Sequence, residues 1–387
     1  MKVPALIIGG GVIGSATACF LARDFGMRAL VLERDPSYRV ASSALSASSI
    51  RQQFSTEINI RLSQHSLAFL RAIGDELAVD GEPPQIGLTE RGYLYLARGS
   101  GAAALAANRE IQVRHGADVV LLTADALKER FPWLEVGDVA AGSLGCSGEG
   151  WFDGYGVLQA FRRKAISLGA RFVAGEVLAL ARHGDELAAT VRDGERIEAG
   201  AALIAAGAWS APLAAQLGFD LPVVPRKRDV FVFESPARLP RCPLVIDPSG
   251  FWFRPEGRGF IGGAPPRGVD RDDMTLEDID YGLFDEAIWP ALAARVPAFE
   301  ALRLVRAWAG YYEYNKFDQN GLVGRVPGQE HAFVACGFSG HGMQHAPAIG
   351  RAMAELIATG GYRTLDLEPL SPARVSANAP LIERNVI

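Results

Sequence analysis

Residues 5–32 read ALIIGGGVIGSATACFLARDFGMRALVL: an apolar run, a glycine turn, a helix-forming stretch and a second apolar run. Such an order leaves few folds open. Ala5 to Ile8 reads as a buried parallel strand, SATACFLARDF as a helix, and MRALVLERD as the next strand. Together they make one β-α-β unit, the building block of a parallel sheet covered by helices. Pro4 to Ala22 also has the length of a signal sequence or a membrane span. Its four glycines, the lack of a charged start beyond Lys2 and the lack of a small-residue cleavage site favour strand, turn and helix instead.

The turn itself carries chemistry. Gly9-Gly10-Gly11-Val12-Ile13-Gly14 supplies G-x-G-x-x-G directly after a strand and at the opening of a helix. There the first glycine permits the tight turn, the second lets backbone approach a pyrophosphate, and the third lets helix pack on strand. Amides at the helix start, those of Val12 and Ile13 among them, face phosphate with the positive end of the helix dipole. Glu33 closes the second strand, where an acid can accept from both hydroxyls of an unphosphorylated ribose. The motif predicts a dinucleotide site and does not separate FAD from NAD.

Farther along, GYGVLQAFRRKAISLGARFVAG repeats the helix-to-strand pattern, with Gly169 as its cap. Two alternating strands follow across the turn at HGDE, then a turn at RDGE and an apolar strand ending in glycine. Residues 86–145 and 226–320 differ in texture, with more aromatics, Pro and Arg, and with two-sided strands such as DVFVFES, SGFWFRP and GFIGGAP. They read as an antiparallel sheet inserted twice into the nucleotide-binding fold. The expected division is a discontinuous cofactor domain of 1–85, 146–222 and 322–387, and a substrate domain of 86–145 and 223–321.

Composition narrows the functions. With 387 residues, 49% hydrophobic and 21% charged, the chain can bury a large core in one or two domains. A net charge of −5 without a basic stripe argues against nucleic acid partners. Cys19, Cys146, Cys242 and Cys336 are scattered, with no metal spacing and no disulfide framework, which fits the cytoplasm. His341 and His345 share one glycine-rich loop, but His65, His115, His183 and His331 stand alone, so no metal site is expected. GxSxG, HExxH and GxxxxGK[ST] are absent.

Three later stretches, RDPSYRVASSALSASSIRQQFS after Glu33, LIAAGAWS, and GFSGHGMQHAPAIG, occur in the order that resembles the D-amino acid oxidase, sarcosine oxidase and dimethylglycine dehydrogenase family. WAGYYEYNKFDQNGLVG is similar to its FAD-dependent oxidoreductase domain-containing branch. The resemblance covers nearly the whole chain. It implies a Rossmann-like α/β domain joined to an α+β substrate domain, with FAD as cofactor. By this likeness Gly9, Gly11 and Gly14 hold the pyrophosphate and Glu33 the ribose, with Arg34 beside it. Ser42 and Ser43 lie along pyrophosphate and flavin, or else form a solvated turn. Val177 meets adenine through its backbone, and Ala206 and Gly207 form a strand-end turn near the cofactor. Gly337, Gly340 and Gly342, with Met343, let the backbone pass the flavin ring, a helix beginning near Pro347 points at it, and His341 packs beside it. The positions where relatives attach flavin covalently fall at Ala44-Leu45 and Gly310-Tyr311-Tyr312-Glu313, implying non-covalent FAD.

On the substrate side, Arg51 matches an arginine that grips a carboxylate, the alternative being a structural arginine. Gln344 stands where sarcosine oxidases place a second cation. Arg254 is a candidate anchor or a structural partner of Glu256. Tyr311, Tyr312 and Tyr314 imply either a larger amine pocket or packed core aromatics. A lysine that assists O2 reduction is replaced by Phe260, which points to a dehydrogenase. The implied reaction oxidises the C–N bond of an amino acid or a secondary or N-methylated amine by hydride transfer to the flavin, giving an imine that hydrolyses. The acceptor is a quinone, an electron-transfer protein or O2. The alternatives are a 2-hydroxy acid dehydrogenase on the same fold and a flavoprotein with an assembly role. No membrane span is expected, and a homo-oligomer is compatible with the sequence.

Overall fold

The computed structural model describes residues 1–184, 186–272 and 274–385. Its first sheet runs Leu322–Arg325, Ala332–Cys336, Arg196–Ile204, Lys2–Ile8, Leu30–Glu33 and Arg171–Ala174. Four of its five pairings are parallel, the Leu322–Arg325 edge being the exception. Lys2–Ile8 is central, registering Ile8 with both Ile204 and Leu32, so the carboxyl ends of three strands stop level. Val177–His183 and Glu186–Val191 extend the sheet as an antiparallel meander. The HGDE turn between them includes Asp185, which lies outside the described residues.

One face of this sheet is covered by the helices Val12–Phe25, Glu57–Arg71, Gly154–Ser167 and Gly342–Thr359, around Phe20, Phe69 and Phe161. A Cβ on Gly350 would stand 2.4 Å from that of Ala16, so the C-terminal helix crosses the glycine-turn helix at a spacing only glycine allows. That crossing fixes the start of the C-terminal helix beside the glycine turn.

The second sheet orders Arg303–Asn315, Val223–Glu234, Gly259–Gly263, Trp252–Glu256, Leu244–Ile246, Tyr93–Ala97, Ala141–Gly145 and Val119–Leu122. It is antiparallel save for the pairing of Leu244–Ile246 with Tyr93–Ala97. Its two long strands pair from Val223 with Asn315 to Glu234 with Arg303. Behind it, Phe231, Phe233, Phe253, Phe260, Phe284 and Phe299 form an aromatic core. Each of these side chains removes a large apolar area from water, which anchors the sheet. Among the described residues no helix is long and apolar enough to cross a membrane.

Candidate active site

A cavity of about 420 Å³ opens at the carboxyl ends of the parallel strands and is walled on its far side by the second sheet. Gly9, Gly11, Val12, Ile13, Glu33 and Arg34 line one end, with Val177, Ala206 and Gly207 close by. Gly9 has φ +104°, and a Cβ there would lie 2.3 Å from the carbonyl oxygen of Ala205. At Gly14 a Cβ would lie 2.0 Å from the carbonyl oxygen of Gly9. Any side chain at either place would push the turn away from the strands, so both must be glycine.

Polar groups around the turn are already ordered. Glu33 accepts from the Gly10 amide at 2.8 Å and the Asp35 amide at 3.0 Å, which aims its carboxylate while leaving lone pairs unused. The Val12 amide, read from sequence as a phosphate donor, instead donates to Ser43 Oγ at 3.0 Å. Ser43 thus braces the helix start. Arg34 stacks its guanidinium 3.8 Å from the Trp209 ring centroid. Ser42 Oγ is shielded and has no hydrogen-bond partner among the described residues.

The other end gathers Arg51, Tyr93, Arg228, Ile246, Trp252, Tyr312, Glu313, Gly340, His341, Gly342, Met343 and Gln344. Arg51 is buried and lies 3.9 Å from the Phe54 ring centroid. It donates to the carbonyl oxygens of Gln53, at 2.7 Å, and of Asn385. Gln344 Oε1 accepts from the Arg51 amide at 2.9 Å, so this residue positions the arginine segment where a cation would have repelled it. His341 is buried against Phe54 and Phe338. Burial, then the Arg51 charge, lowers its pKa to about 3, so the ring is neutral at ordinary pH. Neither of its nitrogens has a partner among the described residues. Burial likewise raises the Tyr312 phenol, against the charges of Arg228 and then Arg51.

Several sequence expectations need correction. Arg254 is absent from the cavity wall. It is buried, donates to the carbonyl oxygens of Ala47 (2.7 Å) and Pro255 (3.0 Å), and pairs with Glu256, so it is a structural residue. Phe260 packs on Phe233 and Phe299 in the aromatic core and says nothing about oxygen. Gly337 turns its bare face to Val223 and Asn315 rather than to the cavity. Gly340 reaches the cavity, yet its own bare face meets the Tyr312 ring at 2.4 Å. The C-terminal helix starts at Gly342, not near Pro347, which lies inside it. Of the three tyrosines, Tyr311 and Tyr312 line the cavity, whereas Tyr314 lies under Arg226 at 4.0 Å from its ring centroid.

Two cavity groups escaped the sequence reading. Glu313 lines the wall with its pKa pushed up to about 7 by burial, and the Gly337 and Phe338 amides oppose that rise by donating to it. Arg228 hides in the run Arg226-Lys227-Arg228, which as sequence looks like a solvated charge cluster. Strand alternation was its available signal, because Lys227 must face away from both arginines.

A glycine cradle at strand ends, an oriented acid beyond it, and unpartnered polar atoms on Ser42 and His341 form a site suited to a flavin dinucleotide. Residues 5–356 match the family model described as FAD dependent oxidoreductase, and the chain belongs to that family. FAD-dependent oxidoreductase domain-containing protein 1 of Xenopus laevis is 41% identical, over the whole of this chain and 85% of that protein. The crystal structure of L-proline dehydrogenase from P. horikoshii superposes with TM-score 0.86 at 28% identity, covering 98% of this chain and 99% of that one. Glycine oxidase from Geobacillus kaustophilus gives 0.84 at 26% identity, covering 96% and 99%.

Proposed function

We propose that this FAD-dependent oxidoreductase oxidises the C–N bond of an amino acid or of a secondary or N-methylated amine, releasing an imine that water hydrolyses to a carbonyl compound. The observation that carries the proposal is the buried Arg51, which shares one cavity with the cofactor cradle. Its guanidinium has five N–H groups, and the two carbonyls it meets leave donors for a carboxylate. The likeness to a proline dehydrogenase and a glycine oxidase supports a substrate of this kind.

When bound, FAD supplies a two-electron acceptor for the hydride on the carbon beside the amine nitrogen. The protein holds and excludes. Arg51, fixed by Phe54 and by Gln344, grips the carboxylate and so sets where that carbon lies. Tyr93, Ile246, Trp252 and Tyr312 supply an apolar wall that favours the neutral amine over its ammonium form. His341, neutral and unpartnered, offers one N–H donor and one acceptor. Among the described residues no cysteine lines the cavity and His341 is its one histidine, which supports non-covalent FAD. Among the described residues its wall also holds no lysine, which supports a dehydrogenase over a fast oxidase. The cysteines are free, in keeping with a reducing compartment such as the cytoplasm.

The test is turnover with sarcosine, dimethylglycine, L-proline, glycine and the two-acid amine iminodiacetate, using an acceptor dye under nitrogen and trapping the carbonyl product. One carbonyl per dye reduced, with slow consumption of O2 in air, is expected. Dye reduction by none of these amines would sink the proposal.

A further inference from the structure

At its substrate end the cavity contains a second guanidinium, and its carboxylate partner sits on a loop rather than in the core. Arg295 and Arg374 are buried and paired with core carboxylates, Asp247 and Asp318, whose side chains are 2% and 0% exposed. Arg228 lines the cavity, 5.2 Å from the Tyr312 ring centroid. Its bidentate partner is Asp270, at 2.9 Å and 2.7 Å, on the loop that follows the Gly259–Gly263 strand, and that side chain is 25% exposed. Val269 beside it is 83% exposed. A loop carboxylate of this kind can be exchanged for one brought by a ligand.

The exchange leaves no charge stranded. Asp270 also lies 3.2 Å from Arg226, which lines no part of the cavity and would retain it, while Arg226 keeps Asp272 at 3.1 Å. Arg228 is partly buried, and it would trade one carboxylate for another, so its charge stays compensated. Arg51, Arg228 and Tyr312 all line the cavity, so both cations share its wall with that phenol. A ligand with two carboxylates can pair with both, one at each guanidinium.

We infer that Arg228 is a second substrate-anion anchor, and that the cavity selects amines carrying two acid groups, the second displacing Asp270. This rests on the amine reading proposed above. It predicts specificity by charge number, with Arg51 setting the reacting carbon and Arg228 selecting the substituent.

Two thioethers isosteric with such amines, (methylthio)acetate and thiodiacetate, cannot form an imine and differ by one carboxylate. They are titrated into the FAD-loaded protein and its Arg228→Met and Asp270→Asn variants, following the flavin absorbance. Thiodiacetate is expected to bind the parent at least tenfold more tightly than (methylthio)acetate, a difference of about 1.4 kcal/mol. Arg228→Met should bring the ratio of the two dissociation constants near one, and Asp270→Asn should widen it. A parent ratio near one, or a ratio that Arg228→Met leaves intact, overturns the inference while the amine reading stands. If neither thioether binds the parent at tens of millimolar, the carboxylate-binding cavity itself is refuted, and the inference falls with it. Because Asp270→Asn acts opposite to Arg228→Met on a surface loop, a folding defect in the latter cannot mimic the expected pair of shifts.

Discussion

Gly11 and Gly14 are both bare, and the structure gives them separate reasons, which single alanines can tell apart. At Gly14 a Cβ would lie 2.0 Å from the Gly9 carbonyl oxygen, 3.0 Å from the Ile7 side chain and 3.2 Å from the Gly9 carbonyl carbon. Backbone cannot yield locally, so the helix must back away. Overpacking costs about 1–3 kcal/mol, and alanine recovers up to about 1 kcal/mol in helix propensity. The clash with backbone sets the cost at the upper end, for a net loss of about 2 kcal/mol. Gly11 has φ −60° and ψ −176°, an extended conformation open to alanine, and a Cβ there meets only Ser43 Oγ at 3.2 Å. Stiffening the unfolded chain then contributes about 0.4–1 kcal/mol toward stability. What Gly11 keeps open is space on the cavity side. Gly11→Ala should therefore leave the melting temperature of the apoprotein equal or slightly raised and weaken FAD at least tenfold, about 1.4 kcal/mol. Gly14→Ala should lower the apoprotein melting temperature by about 2–3 °C. Thermal melts of FAD-free protein and fluorescence titrations with FAD give both numbers. Unchanged FAD affinity in Gly11→Ala, or an equal loss of apoprotein stability in both variants, would refute the division of roles.

Arg51→Met should keep FAD bound while flavin reduction by a carboxylated amine falls at least a hundredfold, about 2.7 kcal/mol in kcat/KM; equal loss with an uncarboxylated amine would argue for a purely structural arginine. Arg254→Met should cost about 1–3 kcal/mol of stability through its lost carbonyl partners, with kcat/KM reduced less than tenfold; a hundredfold loss would restore it as an anchor. Burial pushes Glu149 up to about 7, against the Gln53 side chain and the Gln52 amide that donate to it. Its folded pKa lies above the unfolded one, so the stability it contributes is whole below about pH 4.5 and is lost as pH rises through about 7, by up to about 3 kcal/mol. Glu149→Gln should then gain on the parent in urea midpoint between pH 5 and pH 8, and parallel pH profiles would count against a buried, protonated Glu149.

How far the sequence could be read depended on the range of the forces involved. The β-α-β start was legible because its signals are local: glycines at fixed offsets, an apolar strand and an acid at the next strand's end. The sheet meander from Val177 to Ile204 was legible for the same reason, through alternation and turn residues. Arg254 was left open between an anchor and a partner of Glu256, and Phe260 was misplaced, because which face of a strand meets the cavity depends on the partner sheet, and that information lies far away in the chain. Arg228 and Glu313 were missed because a charged residue in an extended strand reads as solvent-facing unless something nonlocal buries it. Gln344 was noticed for the absence of a cation, but its bond to the Arg51 amide spans 293 positions and no spacing rule reaches that far.

The central claim is that a carbon beside an amine nitrogen is the hydride donor in this cavity. Anaerobic mixing of the FAD-loaded protein with sarcosine, dimethylglycine, proline or the two-acid amine iminodiacetate, in parallel with lactate and 2-hydroxyglutarate, tests it directly. Bleaching of the flavin band by at least one amine, with one carbonyl or imine formed per flavin and no bleaching by the 2-hydroxy acids, is the predicted result. Bleaching by a 2-hydroxy acid while every amine leaves the band intact would contradict the account.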